Sequence, residues 1–274
     1  MTAVSRAERV LVAAALLTCA PCLCAVAQEY RTITFPDSIY RGLGGGFMMY
    51  DRNAGVYTEY RPAECRKRLT PASTFKIPNS LIGLETGVIR DEHFVIPWDS
   101  TVYGDFPAWN RDHDLASAIA NSVVWYYQEL ARRVGRKRMT ALVNSTGYGN
   151  NDVSGPIDRF WLGSTLLISP EEQIGFLRRL YDGSLPFSPR SMEIVKRIII
   201  LEDNGTHVLR GKTGFADDRS GVTVGWFVGY VEKGGNVYFF ALNMTSPDAK
   251  RDEPRIFRER KAAALTILAA LGAL

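Results

Sequence analysis

The 274-residue sequence contains few cysteines and few histidines, and neither residue type is placed as in a metal site. Three of the four cysteines lie in the first 27 residues, which leaves Cys65 alone in the rest of the chain. A single cysteine excludes a disulfide there, and no histidine pattern around it indicates a thiol nucleophile. His93, His113 and His207 are far apart and lack a ligand spacing such as H-E-x-x-H. The sequence therefore argues against a zinc hydrolase and predicts no metal site.

Long apolar runs are also scarce, and the one near the N-terminus is too short to cross a bilayer. Val10–Ala20 follows a short basic segment and precedes Ala25-Val26-Ala27, a small-residue cleavage pattern. We expect residues 1–27 to be a signal peptide and residues 28–274 to form a single domain. The mature protein is then exported to the periplasm, with no membrane segment after cleavage. An uncleaved signal anchor is the alternative.

Charge of either sign is not in large excess. The formal net charge is +4 for the whole chain and +3 for residues 28–274, which gives no argument for nucleic acid as a partner. The basic run from Arg132 to Arg138 has no interleaved aromatic residues, so it predicts a solvated helix end. No internal repeat or low-complexity linker divides the chain, which is long enough for one large core or two lobes sharing a cleft.

Four short motifs follow one another along the chain: Ser73-Thr74-Phe75-Lys76, Ser122-Val123-Val124, Tyr148-Gly149-Asn150 and Lys212-Thr213-Gly214. A serine three residues before a lysine, at a helix start, places the hydroxyl and the amine on one face. An acyl-transfer nucleophile needs such a neighbouring base. Each motif alone also suits an ordinary helix start, loop or strand end. Their joint order favours an acyl-transfer enzyme.

Hydrophobic periodicity predicts strands at both ends of the chain and helices between them. The expected strands are Gly46–Tyr50, Val56–Tyr60, His207–Lys212, Val222–Val231 and Val237–Met244. The expected helices are Ser73–Leu84, one or two within Leu115–Val134, one capped by Ser169, and Arg255–Leu271. This order predicts an antiparallel β-sheet flanked by helices, with an inserted all-helical lobe.

The four motifs resemble those of the serine β-lactamase and penicillin-binding protein superfamily, and the sequence is most similar to class D (oxacillinase-type) β-lactamases. The resemblance extends from about Met48 to the C-terminus and includes Trp161-Leu162 and Gly225–Gly229. It implies a two-lobed α+β or α/β fold of the β-lactamase/transpeptidase type. It also implies hydrolysis of the β-lactam amide of penicillin-type antibiotics through a serine acyl-enzyme, and hence antibiotic resistance. A stably acylated sensor or a penicillin-binding protein relative without turnover is the alternative.

The resemblance also implies roles for individual residues. Ser73 would be the nucleophile, and the N–H groups of Ser73 and Phe215 would form the oxyanion hole. Lys76, carboxylated by CO2 to N6-carboxylysine, would be the general base, held by the indole N–H of Trp161. Ser122 would relay a proton to the leaving nitrogen, with Lys212 beside it. A free lysine is almost wholly protonated at pH 7, so Lys76 requires an apolar pocket.

Further residues are expected to contact the substrate. They are Thr213, Gly214, Val124, Leu162 and Arg260. Arg255 and Arg258 remain alternatives to Arg260 for binding the substrate carboxylate. CO2 or bicarbonate is the only additional component expected, with no metal and no other cofactor. The sequence leaves open the range of β-lactams and whether the protein is a monomer or a homodimer.

Overall fold

The computed structural model describes residues 28–274, and the predicted signal peptide at residues 1–27 lies outside the described residues. Seven strands within the described part form one sheet. In chain order they are β1 (Glu29–Thr32), β2 (Phe47–Asp51), β3 (Val56–Tyr60), β4 (Ile200–Asp203), β5 (His207–Asp217), β6 (Thr223–Lys233) and β7 (Asn236–Ser246).

The helices of the described residues fall mainly between β3 and β4. They are α1 (Asp37–Tyr40), α2 (Pro62–Arg66), α3 (Lys76–Glu85), α4 (Leu115–Ala120), α5 (Val124–Val134), α6 (Arg136–Thr146), α7 (Pro170–Tyr181), α8 (Pro189–Ile198) and α9 (Ala249–Ala270). Two 3₁₀ turns, Ala72–Phe75 and Pro107–Trp109, complete the set. The chain between β3 and β4 contains α2 to α8, which confirms the inserted helical lobe.

The strand order across the sheet is β1-β3-β2-β7-β6-β5-β4. Every neighbouring pair is antiparallel except β1 and β3, which run parallel with Glu29 opposite Val56. The sheet is therefore mixed at one edge, where the sequence predicts an antiparallel sheet. The long connection from β1 to β2 allows β1 to reach the free edge of β3 instead of pairing with its neighbour in the chain.

Alternating side chains of the central strands supply two separate cores. In β7, Phe239 and Ala241 belong to the core beneath the helical lobe, whereas Phe240 and Leu242 belong to the core beneath α9. Successive residues of a strand point to opposite faces, so one apolar strand can serve both cores. The sheet is thus covered on both faces, with α7 on one side and α9 on the other.

Local signals in the sequence explain the helix boundaries that matter for the cleft. Ser169 accepts a hydrogen bond from Glu172 N and the Glu172 side chain accepts one from Ser169 N, a capping box that starts α7. The range Leu115–Val134, predicted to contain one or two helices, contains two, α4 and α5. The break falls at Ser122, whose φ of 55° is left-handed and incompatible with a continuous helix. Gly135, at φ 80°, ends α5.

Candidate active site

The first motif forms a close hydroxyl–amine pair at the start of α3. Ser73 lies in the 3₁₀ turn Ala72–Phe75, and Lys76 is the first residue of the helix that follows. Lys76 Nζ lies 2.7 Å from Ser73 Oγ, within a hydrogen bond. The lysine is 1% exposed and the serine 7% exposed. The predicted nucleophile and base are therefore in direct contact and largely shielded from bulk water.

Burial makes the charged form of Lys76 costly. The pKa of Lys76 is lowered well below its usual value, first by burial and second by the neighbouring charge of Lys212. The Tyr127 ring lies 5.3 Å from Lys76 Nζ, and no acidic group contributes to the shift. The neighbouring apolar side chains of Phe75 and Val123 are also buried. This environment raises the fraction of neutral amine, the form that can accept a proton.

The second and fourth motifs meet across the cleft. Lys212 Nζ, on β5, donates to Ser122 Oγ at 3.0 Å and to the Thr213 carbonyl at 2.9 Å. The left-handed backbone of Ser122 breaks the helix and turns this hydroxyl toward Lys212. Burial and the charge of Arg260 lower the pKa of Lys212 to about 7. Lys212 can therefore exchange a proton with Ser122 near neutral pH.

A cavity of about 270 Å³ opens onto Ser73. It brings together seven residues that the sequence predicts for the site: Ser73, Ser122, Val124, Thr213, Gly214, Phe215 and Arg260. Lys76 and Lys212 reach the same cavity through their hydrogen bonds to the two serines. Trp161 and Leu162 do not line it. Leu162 is a partly buried residue packed on the core beneath the helical lobe, and the structure gives it no contact with this cavity.

Gly214 allows β5 to pack closely on the turn that carries the nucleophile. A Cβ atom at this position would lie 3.0 Å from the Pro71 carbonyl oxygen and 3.1 Å from the Thr74 methyl group. Any larger residue would push the strand away from the 3₁₀ turn. The close approach brings Phe215, the next residue of β5, and Ser73 to the lining of one cavity. Ser73 and Phe215, whose N–H groups are expected to serve one oxyanion, therefore lie at the same cavity.

Of the three arginines considered for α9, Arg260 is the one at the cavity. It is 8% exposed, and its Nε has no hydrogen-bond partner among the described residues. Its guanidinium carbon lies 4.4 Å from the centre of the Phe257 ring and 5.6 Å from that of Phe215. Burial lowers the pKa of Arg260 to about 10, so it remains a cation at neutral pH. Arg255 instead donates to the Tyr40 carbonyl at 2.8 Å.

Trp161 lies behind the nucleophile, not in the cavity wall. Its indole ring is 1% exposed and stacks on Phe75, with ring centroids 5.5 Å apart. Among the residues that the structure describes, the indole N–H has no acceptor. A buried donor without a partner is costly, and such groups often serve a function.

The third motif shapes the loop that leads to Trp161. Asn150 Oδ1 accepts from Leu167 N at 2.9 Å, and Asn150 Nδ2 donates to the Thr165 carbonyl at 2.9 Å. Tyr148 is buried and packs edge-on against Phe75 at 5.7 Å. The third motif thus has structural contacts on the loop before Trp161 and does not line the cavity.

Three aromatic residues of the cavity, Phe106, Trp109 and Phe257, were not anticipated from the sequence. Phe106 and Trp109 stack at 4.4 Å with an angle of 13° between ring planes. They lie in an irregular segment where no periodic pattern applies. The stretch from Tyr103 to Trp109 is rich in turn-forming residues and also contains several aromatic side chains. This combination is the one sequence signal that could have indicated an aromatic cavity wall at Phe106 and Trp109.

Other chemically suggestive groups have structural partners. Glu172, besides capping α7, pairs with Arg68 at 2.9 and 3.0 Å. Arg132 pairs with Glu129 and Asp158, as expected for a solvated helix end. Cys65 is buried and free. Within residues 28–274 no cluster of three potential metal-ligating side chains occurs. No helix of that range has both the length and the apolar character needed to span a membrane.

A serine beside a buried lysine, with a second lysine–serine pair across the cleft, defines a class of acyl-transfer proteins. Residues 46–263 match the penicillin binding protein transpeptidase domain, and the chain belongs to that family. Within it, the chain is a member of the class D, oxacillinase-type serine β-lactamases. The predicted family and fold are therefore confirmed.

Three relatives illustrate the similarity. β-Lactamase OXA-48 of Klebsiella pneumoniae is 50% identical over 177 residues, which cover 65% of this chain and 66% of that protein. The crystal structure of the class D β-lactamase YbXI from Nostoc has a TM-score of 0.79 and 42% identity, covering 87% of this chain and 98% of that one. Regulatory protein BlaR1 of Bacillus licheniformis is 40% identical over 200 residues, covering 73% of this chain and 33% of that protein.

Proposed function

We propose that this protein hydrolyses the amide bond of β-lactam antibiotics through an acyl-enzyme on Ser73, and so gives its host antibiotic resistance. The observation on which this depends is the 2.7 Å contact between Ser73 Oγ and the buried Lys76 amine. A serine hydroxyl is a weak nucleophile until a base removes its proton. A lysine of lowered pKa in direct contact supplies that base.

The acylation step follows from the two lysine–serine pairs. Lys76 takes the Ser73 proton while Oγ attacks the lactam carbonyl carbon, and the carbonyl oxygen acquires the negative charge. The Ser73 and Phe215 N–H groups stabilise that oxygen. The carbon–nitrogen bond then breaks, and Ser122 passes its proton to the leaving nitrogen. Lys212, 3.0 Å from Ser122 Oγ, replaces that proton.

Arg260 on α9 is proposed to orient the substrate by binding its carboxylate. Arg260 is buried at the cavity with an unpartnered Nε, so a substrate carboxylate would supply the missing acceptor. Thr213 and Gly214 line the same cavity on β5, and Val124 lies on the facing helix. Leu162 belongs to this set only by family resemblance. The substrate is thus a small molecule with a strained amide and a carboxylate.

We further propose that the working base in acylation and deacylation is the N-carboxylate of Lys76, so that its added carboxylate, and not the free amine, takes the Ser73 proton. A neutral lysine amine adds to CO2 and loses one proton, which leaves a carboxylate that can accept protons in acylation and deacylation. Two features of the site fit such a group: the lowered pKa of Lys76 and the unpartnered Trp161 N–H close behind Phe75. That N–H would hold the added carboxylate oxygen. CO2 or bicarbonate is then the required additional component.

We also propose that the mature protein begins near Gln28 and acts in the periplasm, as the cleavage pattern at residues 25–27 indicates. N-terminal sequencing of the protein secreted by a bacterial host tests this, and a chain retaining residues 1–27 would contradict it. The activity is proposed for a monomer or a homodimer.

Counting turnovers tests the proposed function. The purified mature protein is mixed with a chromogenic cephalosporin in bicarbonate buffer, with a penicillin as a second substrate and Ser73→Ala as the inactive control. We expect many product molecules per protein for at least one substrate. One stoichiometric burst with both substrates, followed by no further reaction, would instead establish a stably acylated sensor or penicillin-binding protein relative.

A further inference from the structure

His113 is a buried histidine that the proposed mechanism does not use. It is 1% exposed and lies just before α4. Its Nε2 is 2.9 Å from the Ala108 carbonyl oxygen, and its Nδ1 is 3.0 Å from Ser117 Oγ. These contacts join the start of α4 to the 3₁₀ turn Pro107–Trp109, which forms part of the cavity wall.

The partners determine which nitrogen carries the proton. A backbone carbonyl can only accept, so Nε2 must donate to Ala108. Burial lowers the pKa of His113, which favours the neutral ring, and Nδ1 can then accept from the Ser117 hydroxyl, which also lies 3.2 Å from the Asp114 carbonyl as a second acceptor. Ser117 Oγ in turn accepts from Asp114 N at 3.1 Å within the capping box of α4. The ring therefore connects a capped helix end to the Ala108 carbonyl.

The same turn is held at two further points, both involving Trp109. The Trp109 carbonyl accepts from Trp125 Nε1 at 3.0 Å, and the Trp109 indole N–H donates to the Asn121 carbonyl at 2.9 Å. Asn121 directly precedes Ser122. These bonds fix the Trp109 ring against the segment that carries the second catalytic serine, and Phe106 stacks on that ring.

We propose that His113 is a positioning residue that sets the Phe106–Trp109 wall of the cleft and thereby selects β-lactams with bulky apolar acyl side chains. The inference rests on the proposed function. Arg260 lies on α9, whereas the aromatic pair lies on the loop before α4. Arg260 and the aromatic pair line the same cavity, so a substrate whose carboxylate is held by Arg260 can also contact the wall formed by Phe106 and Trp109. That wall is apolar and favours an aromatic or aliphatic substituent.

Two amide substitutions separate the two hydrogen bonds of the ring. Gln places its Nε2 where the histidine Nε2 lies, so His113→Gln keeps a donor for Ala108. Asn reaches only the position of Nδ1, so His113→Asn keeps the contact with Ser117 and leaves the Ala108 carbonyl unpaired. The two variants are matched in polarity and differ in the bond to the turn.

The test compares an isoxazolyl penicillin with 6-aminopenicillanic acid, which has no acyl side chain. We expect His113→Asn to raise KM for the bulky penicillin about fivefold with little change in kcat, and to change either constant for the small compound less than about twofold. His113→Gln should stay within about twofold of wild type for both. Equal losses on both substrates, equal damage by both variants, or an unchanged KM in His113→Asn would overturn the proposal.

Two further measurements separate this inference from the proposed function. If the wild-type protein shows no turnover, the rate constants for its covalent labelling by the same two compounds are compared in place of KM. Amide hydrogen exchange of residues 106–111 measures directly how firmly the Phe106–Trp109 wall is held. Exchange should be faster in His113→Asn and unchanged in His113→Gln, and the opposite result contradicts the proposal. If His113→Asn does not fold, Trp125→Phe removes another bond to the turn and should produce the same substrate discrimination.

Discussion

Replacing Lys212 by methionine should make the folded protein more stable while abolishing its activity. The fall in the pKa of Lys212 from 10.5 to about 7 corresponds to about 5 kcal/mol of folding free energy when the lysine is charged. Methionine removes this cost but loses the bonds to Ser122 Oγ and the Thr213 carbonyl, about 1 kcal/mol each. The expected net gain is about 3 kcal/mol at pH 6.

The pH dependence of this gain has a definite sign. Between pH 7 and 10.5 the unfolded chain holds a proton on Lys212 that the folded chain has released. Wild-type stability therefore rises with pH through this window, whereas Lys212→Met lacks that rise. The advantage of the variant should be largest at pH 6 and should shrink steadily toward pH 10.

Urea unfolding from pH 6 to pH 9 in bicarbonate-free buffer measures both quantities. Lys137→Met is the matched control, because Lys137 is exposed on α6 and forms no ion pair with any residue in the range 28–274. The control should differ little from wild type at every pH. A Lys212→Met variant no more stable than wild type at pH 6, or an advantage that does not change with pH, would show that burying the charged Lys212 does not destabilise the folded protein.

Three further predictions concern single positions. Trp161→Phe keeps the stacked ring but removes the indole N–H, so acyl-enzyme should accumulate in mass spectra; a normal deacylation rate would show that Trp161 only fills the core. Gly225→Ala would place a methyl group against Ile256 and 3.2 Å from Arg260 Cδ, so it should raise KM about tenfold, and an unchanged KM would contradict the assigned carboxylate site. Cys65, whose pKa burial raises to about 12, should resist alkylation at pH 8 until the protein is unfolded in urea; rapid alkylation of the native protein would contradict its buried position.

Most of the sheet could be predicted from the sequence because its strands alternate strongly. The hairpin of β2 and β3 and the run of β5 to β7 lie within a residue or two of the expected ranges at most boundaries, apart from the longer β5. Several weak elements were missed, and so was α8, although Ser188 and Pro189 form a helix-start signal. β1 and β4 are four residues long and exposed, so they lack an alternating pattern, and the charged surface of α6 conceals its apolar stripe.

The chemistry of the site was predictable to the extent that it is local in sequence. Ser73 and Lys76 are three residues apart, so helix geometry alone places them in contact. The contact of Lys212 with Ser122 spans 90 residues and was expected only from family resemblance. The aromatic wall at Phe106 depends on loop packing, for which the sequence contains no periodic signal.

Nuclear magnetic resonance with ¹³C-labelled bicarbonate detects the proposed N-carboxylate of Lys76 itself. We expect one protein-bound carbamate resonance that is absent in Lys76→Ala and present in Lys137→Ala. Its intensity should rise and fall with β-lactam turnover as bicarbonate is added or the solution is mildly acidified. Full turnover in CO2-free buffer without this resonance would show that Lys76 is not carboxylated during catalysis.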